Sequence, residues 1–183
     1  EYMYTGIYYQ ILRNYDEMIK CYLTAIEKGS IKSMYYLGYY YSHIENNYEK
    51  MKKYYLMAIE KGDIKSMRKL GLYYFSNGDD KNMEKYYIMA AEEGDIYTMR
   101  ELGGYYFLKG DINEAIKYYL MGFEKGSIDC IHDLGKYLVK IGDYDNSIKY
   151  YLMGVEKGCD TYSMYKIGKI YQKKGDINEA IKY

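Results

Sequence analysis

Apolar and polar positions along this chain repeat with the period of an α-helix, and one face is drawn again and again. Met34, Leu37, Gly38 and Tyr41 stand at i, i+3, i+4 and i+7, one stripe of a helix. The stripe returns as Met67, Leu70, Gly71, Tyr74, then as Met99, Leu102, Gly103, Tyr106. It returns again as Ile131, Leu134, Gly135, Leu138, and as Met164, Ile167, Gly168, Tyr171. A glycine inside a helix costs about 1 kcal/mol relative to alanine. Its place in every copy predicts a neighbouring helix so close that no side chain fits between. Between these helices, here called A, lies a second pattern, B: Met51, Tyr54, Tyr55, Ala58 and Ile59. Its equivalents are Met83, Tyr86, Tyr87, Ala90, Ala91; Ala115, Tyr118, Tyr119, Gly122, Phe123; and Ser147, Tyr150, Tyr151, Gly154, Val155. Large residues followed by small ones let a ring of one helix sit over a small residue of its neighbour.

The ends of the elements are marked as well. A Glu-Lys-Gly-type segment closes each copy at Gly29, Gly62, Gly94, Gly126 and Gly158, in steps of 33, 32, 32 and 32 residues. These glycines predict left-handed caps at the ends of the B helices. Ser30, Asp63, Asp95 and Ser127 precede A helices, and Asn14, Asn47, Asp79, Asp111, Asp143 and Asp176 precede B helices, all good N-caps. Asp111 with Glu114 and Asp176 with Glu179 resemble capping boxes. Neither helix of a pair can bury its stripe alone, so successive hairpins must stack. The expected architecture is all-α: an α-solenoid of about five and a half helix-turn-helix repeats, one array over residues 1–183.

Composition narrows the function. Net charge is zero, with 26 basic and 26 acidic residues, so nothing in the overall balance calls for nucleic acid or an anionic membrane. No apolar run approaches the roughly 20 residues that cross a bilayer. Cys21, Cys130 and Cys159 show no metal or redox spacing and read as reduced thiols of an intracellular, cytoplasmic protein. The 31 tyrosines, with abundant Lys, Ile, Asn and Met, fit codon bias in an AT-rich genome better than special tyrosine chemistry. Catalysis finds little to work with. Cys130 and His132 are the one close pair, but positions i and i+2 of a helix do not face each other. Cys130 reads as a packing residue and His132 as solvated or lining a groove. No zinc-protease, dinucleotide or phosphate-loop motif is present. No catalytic residue, cofactor or metal is expected.

The chain resembles the tetratricopeptide superfamily, and within it the Sel-one-like repeats. Carrying the resemblance are Gly62, Ser66, Leu70 and Gly71; Gly94, Thr98, Leu102 and Gly103; and Gly126, Cys130, Leu134 and Gly135. In the fifth copy an extra residue near Cys159 shifts Ser163 and Ile167-Gly168 by one. The family's aromatic position maps to Tyr54, Tyr86, Tyr118, Tyr150 and Tyr183, with Cys21 in the first copy. The A–B loop is of tetratricopeptide length, shorter than in the usual Sel-one-like repeat. The tyrosine-, lysine- and isoleucine-rich style resembles arrays of giant DNA viruses of amoebae. Thr5-Gly6 aligns with Leu-Gly and Tyr183 falls early in a helix B, so a fragment of a longer protein is expected.

The resemblance implies a right-handed superhelix whose A helices line a concave groove. It places Tyr35, Arg68, Arg100, His132 and Tyr165 in that groove, with Tyr39, Leu72, Gly104, Lys136 and Lys169. Ser42, Phe75, Phe107, Val139 and Gln172 follow, and Lys65 and Lys69 add positive charge nearby. Arginine makes planar contacts to carboxylates and tyrosine offers rigid amphipathic area. The expected partner is a protein or peptide segment, acidic or C-terminal, held by a non-catalytic adaptor. The alternative is a structural element that associates end to end, as in a viral particle. No membrane or nucleic-acid partner is expected.

Overall fold

The computed structural model describes residues 1–158 and 160–183; the sequence expectations that involve Cys159 lie outside the described residues. The chain divides into two compact units, Glu1–Glu93 and Gly94–Tyr183, and the division falls at a repeat glycine. Unit 1 holds α1 (Tyr2–Ile11), α2 (Tyr15–Glu27), α3 (Ile31–His43), α4 (Tyr48–Ile59), α5 (Ile64–Ser76) and α6 (Asp80–Glu92). Unit 2 holds α7 (Ile96–Lys109), α8 (Ile112–Glu124), α9 (Ile128–Ile141), α10 (Tyr144–Gly158), α11 (Thr161–Lys174) and the short α12 (Ile177–Ala180). Odd-numbered helices are the A elements and even-numbered ones the B elements. Within each unit every helix packs on its sequence neighbours, and A helices of adjacent repeats also touch, α3 with α5 and α7 with α9. Both units are thus stacked helical hairpins.

What closes each hairpin is the A-helix glycine. A β-carbon on Gly38 would lie 2.5 Å from the ring of Tyr55, and one on Gly103 would lie 2.8 Å from Tyr119. Gly6 with Tyr22, Gly71 with Tyr87 and Gly135 with Tyr151 repeat the contact. The ring presses on the bare backbone, which brings the helices together and buries Tyr22, Tyr55, Tyr87, Tyr119 and Tyr151 almost completely. Fully burying a large side chain contributes about 1.5–3 kcal/mol, more than the helix-propensity cost of the glycine. In three repeats the preceding tyrosine of the B helix stacks parallel on an A-helix ring instead: Tyr41 on Tyr54 at 5.5 Å, Tyr74 on Tyr86 at 5.7 Å, Tyr106 on Tyr118 at 5.5 Å. Between hairpins small meets small. A β-carbon on Gly122 would run into Cys130 Sγ, so this thiol is a packing residue, buried at the α8–α9 contact.

The caps follow the sequence with three differences. Asn14, Asn47, Asp63, Asp79, Asp95, Asp111 and Asp176 each accept a hydrogen bond from the backbone N–H three residues on. Ser30 does the same through its hydroxyl. Ser127 does not; its hydroxyl is engaged with the Cys130 thiol, which stands where other repeats place serine or threonine. The capping boxes are half formed: Asp111 accepts from the Glu114 N–H, but the Glu114 carboxylate pairs with Lys117 at 2.8 Å. Gly29, Gly62, Gly94 and Gly126 take left-handed φ values of 85°, 82°, 92° and 102°. Gly158 is not a left-handed cap after its helix; it is itself the last helical residue of α10.

Candidate functional site

In unit 1 the A-helix face is built on α3 and α5. Tyr35, Tyr39 and His43 follow one another at i, i+4 and i+8 along α3, the ring centroids 6.4 Å and then 4.0 Å apart. His43 Nδ1 lies 3.1 Å from the Tyr39 carbonyl oxygen, which can only accept, so Nδ1 carries a proton. Lys69 of α5 holds its ammonium 5.8 Å from the Tyr39 ring centre, within cation–π range. Arg68 faces Tyr35, whose phenol is pushed up by burial while the guanidinium pulls the other way. Leu72 and Phe75 are 39% and 52% exposed on the next turn. Between α3 and α5, over the start of α4, opens a cleft of 380 Å³. Lys69, Leu72 and Tyr73 stand on one wall and His43 and Tyr48 on the other, with Tyr55 beneath; no carboxylate lines it.

In unit 2 the equivalent helices are α9 and α11. Tyr165 is 55% exposed, with Lys166 and Lys169 at 5.7 and 5.9 Å from its ring. A cleft of 430 Å³ takes the place of the unit 1 cleft, lined by Val139, Tyr144, Lys166, Lys169, Ile170, Gln172 and Lys173, again without a carboxylate. Lys136 is exposed on α9. Three other residues expected in the groove are engaged elsewhere. Arg100 Nε is 2.6 Å from Asp133 Oδ2 and its Nη1 is 3.5 Å from Asp129, so its charge is met by α9. His132 Nε2 is 2.6 Å from Asp160 Oδ2, and its ring lies 4.4 Å from Tyr162. Phe107 is 7% exposed and stacks on Tyr137 at 4.5 Å; it is a packing residue and not part of an open wall. The helical period gives the helix positions of these side chains but not the partners that hold them. A pair search one repeat ahead would have found Arg100–Asp133.

The sequence places the buried tyrosine rings in the B stripe but gives no sign that two of their hydroxyls lack a partner. Tyr55 and Tyr151 are 1% and 0% exposed, and neither hydroxyl has a hydrogen-bond partner among the described residues. Burial pushes both phenols well above the usual tyrosine range. The same position elsewhere is satisfied: Tyr22 donates to Gln10 Oε1 at 2.9 Å, and Tyr119 bonds Tyr137.

For chemistry the inventory is thin. The Cys130 thiol is buried and pushed up, the opposite of an activated nucleophile. Among the described residues no group of three or more His, Cys, Asp or Glu side chains could hold a metal ion. Among the described residues no helix is long and apolar enough to cross a membrane.

Residues 31–63, 64–95 and 96–127 match the Sel1 repeat, and residues 128–154 and 161–183 match the tetratricopeptide repeat. No curated protein matches the chain in sequence. A Sel1 repeat protein from Oxalobacter formigenes is similar in structure at 25% identity and a TM-score of 0.69, over 98% of this chain and 81% of that one. The antigen c5321 of uropathogenic Escherichia coli, which displays an SLR fold, is similar at 21% identity and a TM-score of 0.68, over 99% of this chain and 44% of that one. YrrB, a TPR protein with an unusual peptide-binding site, shares 18% identity at a TM-score of 0.58, over 88% of this chain and 87% of that one.

Proposed function

The chain belongs to the Sel1 repeat family, and from that premise we propose that it is a non-catalytic adaptor that holds an acidic protein or peptide segment on its A-helix face. Repeats of this class generally serve as scaffolds for protein–protein interaction. The observation that carries the peptide reading is the run Tyr39, His43, Lys69, Leu72 and Phe75. It combines aromatic, cationic and exposed apolar groups beside a cleft without carboxylates. Tyr35 and Arg68 extend the run in unit 1, and Tyr165, Lys169 and Lys136 supply its counterpart in unit 2. Lysines on helical arrays are often only solvating charge, and the weight here falls on their placement over tyrosine rings. The sequence period continues through Gly94, so both units are read as parts of one array. The setting that goes with this reading is the cytoplasm, and the tyrosine-rich style suggests a giant virus of amoebae as the source.

The test is affinity capture with the full-length protein, compared with Arg68→Glu and with Arg68→Glu combined with Arg100→Gln. Glutamine is chosen at position 100 because glutamate would be repelled by Asp129 and Asp133. Loss of the captured proteins from variants that keep the parent melting temperature supports the reading; an unchanged set contradicts it. Assembly of copies end to end is the alternative, and concentration-dependent association without a captured partner would select it.

A further inference from the structure

We infer that the unit 1 cleft between α3 and α5 is a carboxylate pocket, with Lys69 as its cation and the Tyr55 hydroxyl as its hydrogen-bond donor. The inference rests on the peptide-binding reading above and assigns to that face a site, a ligand group and two residues.

The argument begins at Tyr55. Its ring is fixed against Gly38, so the hydroxyl cannot swing out to water, and it is buried with no partner. A buried polar group without a hydrogen bond is costly and calls for an explanation. In two other repeats the chain supplies the partner itself, Gln10 to Tyr22 and Tyr137 to Tyr119. At Tyr55 it supplies none, and here the phenol forms part of the wall of a 380 Å³ cleft. That hydroxyl, covered in the free chain, is the donor assigned here to a ligand oxygen seated in the cleft.

The cleft also sets the charge of that ligand. Lys69 lines it and makes no salt bridge with any described residue; its ammonium lies over the face of Tyr39. Asp63 is the carboxylate whose field the phenol feels, and it is held in place by the Ser66 N–H at 2.7 Å and the Ser66 hydroxyl at 2.6 Å. His43 spends Nδ1 on the Tyr39 carbonyl. One cation without a salt bridge to a described residue and one unused donor, both on residues that line this cleft, match a singly charged carboxylate. Leu72 and Tyr73 offer apolar wall to the methylenes that carry it, which suits a glutamate side chain of a peptide better than a bare phosphate. Unit 2 repeats the pattern in part: Tyr151 is likewise unpartnered, and the equivalent cleft is lined by lysines and no acid.

The experiment uses the full chain and a fluorescein-labelled peptide of alternating glutamate and leucine, acetylated and amidated at its ends, read by anisotropy. The matched peptide with glutamine for glutamate, inorganic phosphate and a random-sequence oligonucleotide are run in parallel. Lys69→Gln and Tyr55→Phe are each expected to weaken glutamate-peptide binding about tenfold or more, the loss of one hydrogen bond or ion contact to a charged group. Tyr55→Phe should melt at or above the parent temperature, because it removes a buried hydroxyl that has no partner. A purely structural role for Tyr55 predicts the reverse, a lower melting temperature and no specific effect on binding. Equal binding of the glutamine peptide, no binding of the glutamate peptide, or affinity unchanged in both variants overturns the pocket. So does preferential binding of phosphate or the oligonucleotide. If the glutamate peptide binds independently of Lys69 and Tyr55 but is lost in Arg68→Glu, the pocket fails and the peptide-binding face survives.

Discussion

The ring of Tyr119 lies 2.8 Å from where a β-carbon on Gly103 would sit, while the adjacent Gly104 has 3.4 Å to its nearest neighbour, the Tyr119 hydroxyl. Two neighbouring helical glycines therefore have opposite reasons to exist. Gly103 is required by the ring pressed on it, and Gly104 is a vacancy that alanine would fill. Gly103→Ala should destabilise the chain by roughly 1–3 kcal/mol through overpacking, which outweighs the gain in helix propensity. Gly104→Ala should be neutral or stabilise by up to about 1 kcal/mol. Urea unfolding of both variants checks the pair, and equal effects would refute the packing account.

The turns between A and B helices yield a second expectation. Gly78, Gly110, Gly142 and Gly175 hold left-handed backbone just before the next N-cap, with φ of 71°, 83°, 84° and 82°. In the first repeat the same position is Arg13, at φ 56°. A side chain in this region costs about 1–2 kcal/mol that glycine does not pay, less the extra freedom glycine gains when unfolded. Arg13→Gly should raise the unfolding midpoint; a lower midpoint would mean that the Arg13 side chain supplies compensating contacts.

How much of this was legible in the sequence depended on range. The A and B stripes, the N-cap aspartates and the fit of tyrosine on glycine are local or hairpin-range features repeated five times, and one copy checks the next. The A–B turn glycines carry a weaker signal of the same kind, because Arg13 and Asn46 interrupt the series. The positions of Phe107, Arg100 and His132 on their helices follow from the period, but their side chains answer to Tyr137, Asp133 and Asp160 further along the chain. No reading of one helix at a time contains those partners. Gly158 shows the same limit: it matches the other repeat glycines in sequence but stays helical next to the position where the fifth copy carries an extra residue.

Asp160 makes stability depend on pH. Burial pushes its carboxyl up, but hydrogen bonds from Ser163 and His132 outweigh this and hold it below the ordinary aspartate value of 3.8. A depressed carboxylate stabilises the folded state above its unfolded pKa, and this contribution fades as pH falls through the lower folded value. Unfolding midpoints followed from pH 6 downward (about two units above the unfolded aspartate value) should therefore drop more steeply below pH ~4 in the parent than in Asp160→Asn. The variant should also be less stable near neutrality. Parallel curves would contradict the assignment.

The Arg100–Asp133 pair should matter little to stability despite its 2.6 Å contact, because the two side chains are 43% and 25% exposed. A double-mutant cycle of Arg100→Gln and Asp133→Asn is expected to give a coupling of about 1 kcal/mol or less. A much larger coupling would make Arg100 a structural residue and remove it from the binding face.

The most direct test of the central claim is hydrogen–deuterium exchange of the chain with and without a captured acidic partner. Binding on the A-helix face predicts added protection in 31–43, 64–76, 128–141 and 161–174, and little change in the B helices at 48–59, 80–92 and 144–158. Protection concentrated in the B helices would contradict it.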